Sequence, residues 1–96
     1  MNLIATYDVN TETKEGRNRL RRMANLCKGF GQRVQLSVFE LTVNEKEKER
    51  FMIAAEKIID PKTDSLRVYR LHGDREQCVE CLGLNTYVSF EDPLVI

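Results

Sequence analysis

A lone acid, a crowd of arginines and a paired-cysteine motif are the features of this 96-residue chain whose chemistry asks for an explanation. Asp8 closes the apolar run Leu3-Ile4-Ala5-Thr6-Tyr7. Packing does not call for a carboxylate there. A turn or helix-capping role would, because the chain turns polar immediately afterwards, and so would a metal-binding or catalytic role. One carboxylate does not hold Mg²⁺ alone; two copies across a dimer axis supply a pair, with water completing the octahedron.

The second feature is electrostatic. Residues 14–33 contain Lys14, Arg17, Arg19, Arg21, Arg22, Lys28 and Arg33 against the single acid Glu15, a net +6. The whole chain is neutral, so the remainder, eight basic and fourteen acidic side chains, carries −6. A stripe dominated by arginine is the footprint of a polyanion partner, because the guanidinium fork matches phosphate bidentately. The alternative is a solvated helix face paired with acidic neighbours. Beside it, Arg33-Val34-Gln35 and Ser37 follow Gly31. Strand periodicity expects Gln35 and Ser37 on one face, facing either a phosphate backbone or solvent.

Cys78-x-x-Cys81 suggests zinc, but a structural site takes four ligands. Only Cys27 and His72 remain, without finger-like spacing. Ordinary cysteines are the expectation, and His72 reads as a polar strand end. Acyl transfer has no support, since no serine–histidine–aspartate pattern accompanies the one histidine. The sequence also lacks a glycine-rich phosphate loop, which excludes the P-loop type of nucleotide hydrolysis.

The elements that must position these residues belong to one domain, residues 1–96, whose core is thin at this length. Hydrophobic residues at 42% and charged ones at 31% fit an ordinary globular chain and exclude a disordered one. No apolar run approaches the ~20 residues of a membrane span. MNLIATYDVN lacks a basic leader region, and the odd cysteine count suits a reducing compartment. A cytoplasmic protein with no membrane partner is expected.

Residues 2–9 read as a mostly buried strand. From Gly16, the spacing of Leu20, Met23, Ala24 and Cys27 predicts a helix ending near Lys28–Gly29. Across residues 33–43 the apolar phase slips from Val34, Leu36 and Val38 to Phe39, Leu41 and Val43. Either one bulged strand or two short strands joined by a tight turn accounts for the slip, and two strands are the favoured expectation. Asn44 and Glu47 form a capping-box variant that opens a second helix, with Phe51, Met52, Ala55, Ile58 and Ile59 as its buried stripe and Pro61 as its stop. Residues 65–72 read as another strand, Gly73–Gln77 as a loop, and residues 78–90 as a weaker extended stretch. The apolar ending Leu94, Val95 and Ile96 suggests docking. The order predicts an α+β ferredoxin-like βαββαβ sandwich with an extra C-terminal strand, and an open sheet face best covered by a second copy.

Several segments together resemble the CRISPR-associated Cas-two family. They are Tyr7-Asp8, Gly16-Arg17 with Arg19-Leu20-Arg21-Arg22, the run Gly31 to Glu40, the run Asp64 to Leu71, and Glu91-Asp92-Pro93-Leu94. The ending is most similar to members from subtype I-C systems. The resemblance implies a ferredoxin-like homodimer in which a segment from about residue 79 to 96 pairs with the partner protomer. It implies a metal-dependent endonuclease, acting on double-stranded DNA or single-stranded RNA, with Asp8 as catalytic residue and ligand of Mg²⁺ or Mn²⁺ at the dimer interface. It places Arg17, Arg19, Arg33 and Ser37 near the nucleic acid, and the arginine stripe adds Arg22. It also implies partnership with the Cas-one integrase in spacer acquisition, where the dimer acts as a DNA-binding platform. Three functional readings stand: a hydrolytic enzyme centred on Asp8, a non-catalytic DNA-holding adaptor, and, least favoured by the arginine stripe, a small-ligand regulatory domain.

Overall fold

A computed structural model of the chain describes residues 1–88. Seven elements follow in order: β1 (Asn2–Asp8), α1 (Lys14–Phe30), β2 (Gly31–Gln35), β3 (Val38–Thr42), α2 (Glu45–Ile58), β4 (Ser65–Leu71) and the single turn α3 (Arg75–Cys78). The strands form one antiparallel sheet in the order β2-β3-β1-β4. This is the ferredoxin-like arrangement that the element order predicts.

Strict alternation in β1 puts Leu3, Ala5 and Tyr7 into the core and leaves Asn2, Ile4 and Thr6 only partly covered, with Asp8 exposed. The first strand is therefore buried on one face, not on both. From β3, Phe39 and Leu41 join the same core, which Met23 and Cys27 of α1 and Phe51 and Ala55 of α2 close from above. Phe30 meets Phe51 edge to face at 5.5 Å, fixing the two helices against each other.

Local chemistry explains the boundaries. Thr13 caps α1, its hydroxyl accepting from the Gly16 N–H at 3.0 Å, so the helix begins two residues before the expected Gly16. It also runs through Gly29 to Phe30. The chain turns into β2 at Gly31, where a Cβ would strike the Glu40 carbonyl oxygen. For α2 the capping box is complete: Asn44 Oδ1 accepts from the Glu47 N–H at 2.8 Å, and Glu47 Oε1 accepts from the Asn44 N–H at 3.0 Å. Met52, expected in its buried stripe, is 41% exposed because Phe51 and Ala55 already fill the helix–sheet contact.

The phase slip at residues 33–43 resolves as a hairpin. Gln35 pairs with Val38 across the two-residue turn Leu36-Ser37, and Val34 is the extra residue of a bulge between Arg33 and Gln35. Ser37 therefore lies in the turn and does not share a strand face with Gln35. Leu36, expected in the alternating apolar set, stands 87% exposed at the tip.

After β4, the expected loop holds the short helix α3. The expected extra C-terminal strand does not form among the described residues 79–88, which instead fasten to the sheet through side chains. Gln32 donates to the Val88 carbonyl (2.6 Å) and accepts from its N–H (2.9 Å). Thr86 donates to the Val34 carbonyl at 3.3 Å. The Arg75 guanidinium grips Glu40 at 2.6 and 3.1 Å while stacking on Tyr87 at 3.5 Å. Residues 89–96, with the apolar ending and the rest of the proposed partner-pairing segment, lie outside the described residues. Leu82 and Leu84 stand fully exposed. No helix among the described residues is long and apolar enough to cross a membrane.

Candidate functional site

Asp8 ends β1 opposite Ser65 of β4. Its neighbour Tyr7 points into the core and stacks on Phe39 at 6.1 Å, so alternation sends the Asp8 carboxylate to the sheet face without helices. The turn and cap roles that could have explained this acid are taken by others. Thr13 caps α1, and Asn10 Oδ1 accepts from the Glu12 N–H at 2.9 Å to hold the β1–α1 turn. Among the described residues, Asp8 is exposed and its carboxylate makes no hydrogen bond or ion pair. A carboxylate placed at a strand end without a structural partner remains available to a ligand.

The basic residues gather at the same end of the sheet but toward the helices. Tyr7 anchors the hairpin there: its N–H donates to the Ser37 carbonyl at 3.1 Å and its hydroxyl to that of Leu36 at 3.5 Å. Between the hairpin and α1 lies a half-open cleft of about 520 Å³. Arg17, Arg21, Lys28 and Arg33 line it together with Ser37, and among the described residues no carboxylate does. Arg33 lies over the Phe39 ring at 5.2 Å, and an Arg17 Nη–H reaches the Thr11 carbonyl at 3.3 Å. Arg22 is exposed on α1 outside this cleft. Arg17, Arg33 and Ser37 thus converge, whereas Asp8 belongs to the opposite face.

Arg19 stands apart from the other arginines. Its Nε donates to Asp64 at 2.7 Å, and its Nη2 reaches Thr63 Oγ1 at 3.3 Å. Asp64 has a fully buried side chain, while Arg19 is 18% exposed. The carboxylate also accepts from the Asn10 N–H (3.0 Å), the Asp60 N–H (3.0 Å) and the Thr63 hydroxyl (2.9 Å). Burial by itself would raise this carboxyl's pKa. The hydrogen bonds from Arg19, the Asp60 and Asn10 backbone and Thr63 outweigh it and hold the group far below the usual carboxylate range. Arg19 therefore clips α1 to the loop preceding β4, beside the strand end that carries Asp8. Sequence reasoning did not single out Asp64 as this hub. The signal was the pair Asp60 and Asp64 around Pro61, a loop composition that supplies acceptors to free backbone N–H groups.

The cysteine motif holds nothing metal-like. Cys78 and Cys81 are exposed, the Cys78 thiol donating to the His72 carbonyl at 3.0 Å. Among the described residues, no three His, Cys, Asp or Glu side chains converge as a metal cluster. Any oxygen-ligated cation at Asp8 would therefore draw further ligands from water or from a second copy.

Comparison with known proteins gives this geometry its context. The family model described as CRISPR associated protein Cas2 matches residues 1–78. A Moorella thermoacetica protein named CRISPR-associated endoribonuclease Cas2 1 is 47% identical over 96 residues, covering all of both chains. The CRISPR-associated endonuclease Cas2 of Halalkalibacterium halodurans is 40% identical over 95 residues, 99% of each chain. The crystal structure of Streptococcus pyogenes Cas2 superposes with a TM-score of 0.78 at 51% identity, covering 86% of this chain and all of the other. With sequence and fold both matched over most of its length, the chain belongs to the Cas2 family of CRISPR-associated proteins.

Proposed function

We propose that this chain is a metal-dependent endonuclease that cleaves phosphodiester bonds in double-stranded DNA or single-stranded RNA. It works as a cytoplasmic homodimer in CRISPR spacer acquisition alongside the Cas-one integrase, in a system of subtype I-C. The observation that carries the catalytic reading is Asp8, a carboxylate on the uncovered sheet face with no structural partner among the described residues. The endonuclease and endoribonuclease names of its relatives support the same reaction class. The open face, with Ile4 half-covered and Tyr69 48% exposed, supports burial against a second copy.

The donor set suits a hard divalent cation, since Asp8 offers carboxylate oxygen in a solvent-open position. Asp8 and the Asp8 of a second copy would hold Mg²⁺ or Mn²⁺, which when bound supplies Lewis acidity toward phosphate and a more acidic water. The chain's own contribution is placement. Arg17, Arg22 and Arg33 neutralise phosphate charge, and Ser37 offers a hydroxyl within the hairpin turn. Arg19, through Asp64, steadies the strand end that carries Asp8.

The test is cleavage of duplex DNA and single-stranded RNA by wild type and Asp8→Ala, with Mg²⁺, Mn²⁺ or EDTA. Loss of about 3 kcal/mol of transition-state stabilisation corresponds to a ~10²-fold slower rate in Asp8→Ala. Cleavage that survives the substitution or EDTA refutes the assignment. A second reading, a non-catalytic DNA-holding adaptor, is favoured by the separation of the arginines from Asp8 across the sheet. It expects Arg17→Ala and Arg22→Ala each to weaken binding alike for unrelated sequences and to reduce the salt slope by about 1, with Asp8→Ala binding unchanged.

A further inference from the structure

We propose that the cleft between α1 and the β2–β3 hairpin is a binding site for one unstacked nucleotide, its base against an apolar floor and its phosphate on a cationic rim. A volume of about 520 Å³ falls within the ~300–1,000 Å³ of small-ligand sites. Leu20, Ala24 and Leu36 form the apolar part of its wall, and Asn25 adds an amide with both donor and acceptor capacity.

Charge selects the ligand. Four cations, Arg17, Arg21, Lys28 and Arg33, line the space and no acid does among the described residues, so the site favours an anion over an apolar neutral or a cationic ligand. A phosphate alone would leave the apolar wall unused. A paired duplex would also leave it unused, because the flat faces of its bases are stacked inside and its surface presents phosphates, sugars and base edges. An amphiphilic anion with a flat apolar part and a phosphate uses both halves, and an unpaired nucleotide is that ligand. Leu36 supplies the independent sign: an 87% exposed leucine at a hairpin tip, held there by the Tyr7 hydroxyl on its carbonyl. The described residues leave its side chain open where it borders the cleft.

This inference rests on the nucleic-acid reading of the basic end but not on catalysis. Its test needs no metal and no cleavage, so its failure leaves the Asp8 assignment untouched. AMP, adenosine and ribose 5-phosphate are titrated into the protein in EDTA, followed by NMR shifts of Leu20, Ala24 and Leu36. AMP is expected to saturate at these residues and to bind at least ~10-fold tighter than either fragment, since each fragment keeps one half of the contact. A single-stranded oligonucleotide should displace it, and the fully paired duplex of the same sequence should not. Leu36→Asp and the double variant Arg21→Glu with Lys28→Glu alter exposed positions. Each should retain the wild-type melting temperature and lose AMP binding ~10-fold or more. AMP binding no tighter than ribose 5-phosphate, equal displacement by duplex, or unchanged binding in both variants overturns the proposal.

Discussion

Replacing Asp64 by alanine is the substitution for which the structure gives the most definite expectation. The side chain is fully buried and accepts hydrogen bonds from four groups in three segments: Arg19, Asn10, Asp60 and Thr63. In Asp64→Ala the Asn10 N–H, the Asp60 N–H and the Thr63 hydroxyl lose their acceptor. An orphaned donor costs ~1–3 kcal/mol, and the low end applies because Asn10 and Thr63 are exposed enough to turn to water. Three donors at ~1 kcal/mol each give about 3 kcal/mol. For a domain of this size that lowers the melting temperature by roughly 12–24 °C. The assay is thermal unfolding by circular dichroism at fixed protein concentration, since the proposed dimer would make the midpoint concentration-dependent. The pH dependence carries a second check. A depressed carboxyl pKa contributes stability that is fully present above the unfolded value, ~3.9, and is lost as pH falls below it toward the folded value. The gap between wild type and Asp64→Ala should therefore be constant from about pH 8 to 5 and close only below about pH 4. A fall of less than ~4 °C, or a gap that changes between pH 5 and 8, refutes the reasoning.

Two further outcomes follow from the same packing. Gly16→Ala puts a Cβ into the Asn10 carbonyl oxygen, a backbone atom that cannot swing away, and should destabilise by ~1–3 kcal/mol in denaturant unfolding. Gly29→Ala, where a Cβ meets open space, should not lower stability and serves as the control. Burial pushes the Cys27 thiol up to about 11, whereas Cys78 and Cys81 are exposed. Thiol titration with a disulfide reagent at about pH 8 should therefore show two fast groups, with the third reacting only on unfolding. Three fast thiols in the native protein would contradict the packing of α1.

The α+β order was legible because each element carries its own local signal. The Asn44–Glu47 box, the Leu20–Cys27 stripe and the Val/Phe phase slip at residues 34–43 each act within one or two turns of chain. What escaped the sequence depends on distance. The Arg19–Asp64 clip spans 45 positions and Arg75–Glu40 spans 35, and neither pair differs in sequence from solvated charges. The same holds for the cleft, which exists only once α1 and the hairpin are brought together. Asp8 was visible as an anomaly, an acid ending an apolar run. Its availability became evident only when Thr13 and Asn10 were seen to do the capping and turning. The arginine stripe of α1 is divided further by packing. Arg17 and Arg21 face the cleft, Arg22 lies outside it, and Arg19 is committed to Asp64.

The central claim is that two Asp8 carboxylates, one from each copy, build a single metal-dependent cleavage site. Wild type and Asp8→Ala are unfolded, mixed in varied ratio and refolded together, and Mg²⁺-dependent cleavage is measured at constant total protein. If both carboxylates are required, activity follows the square of the wild-type fraction, falling to about one quarter in an equal mixture. A linear fall to about one half would show that each copy acts alone and would contradict the shared site.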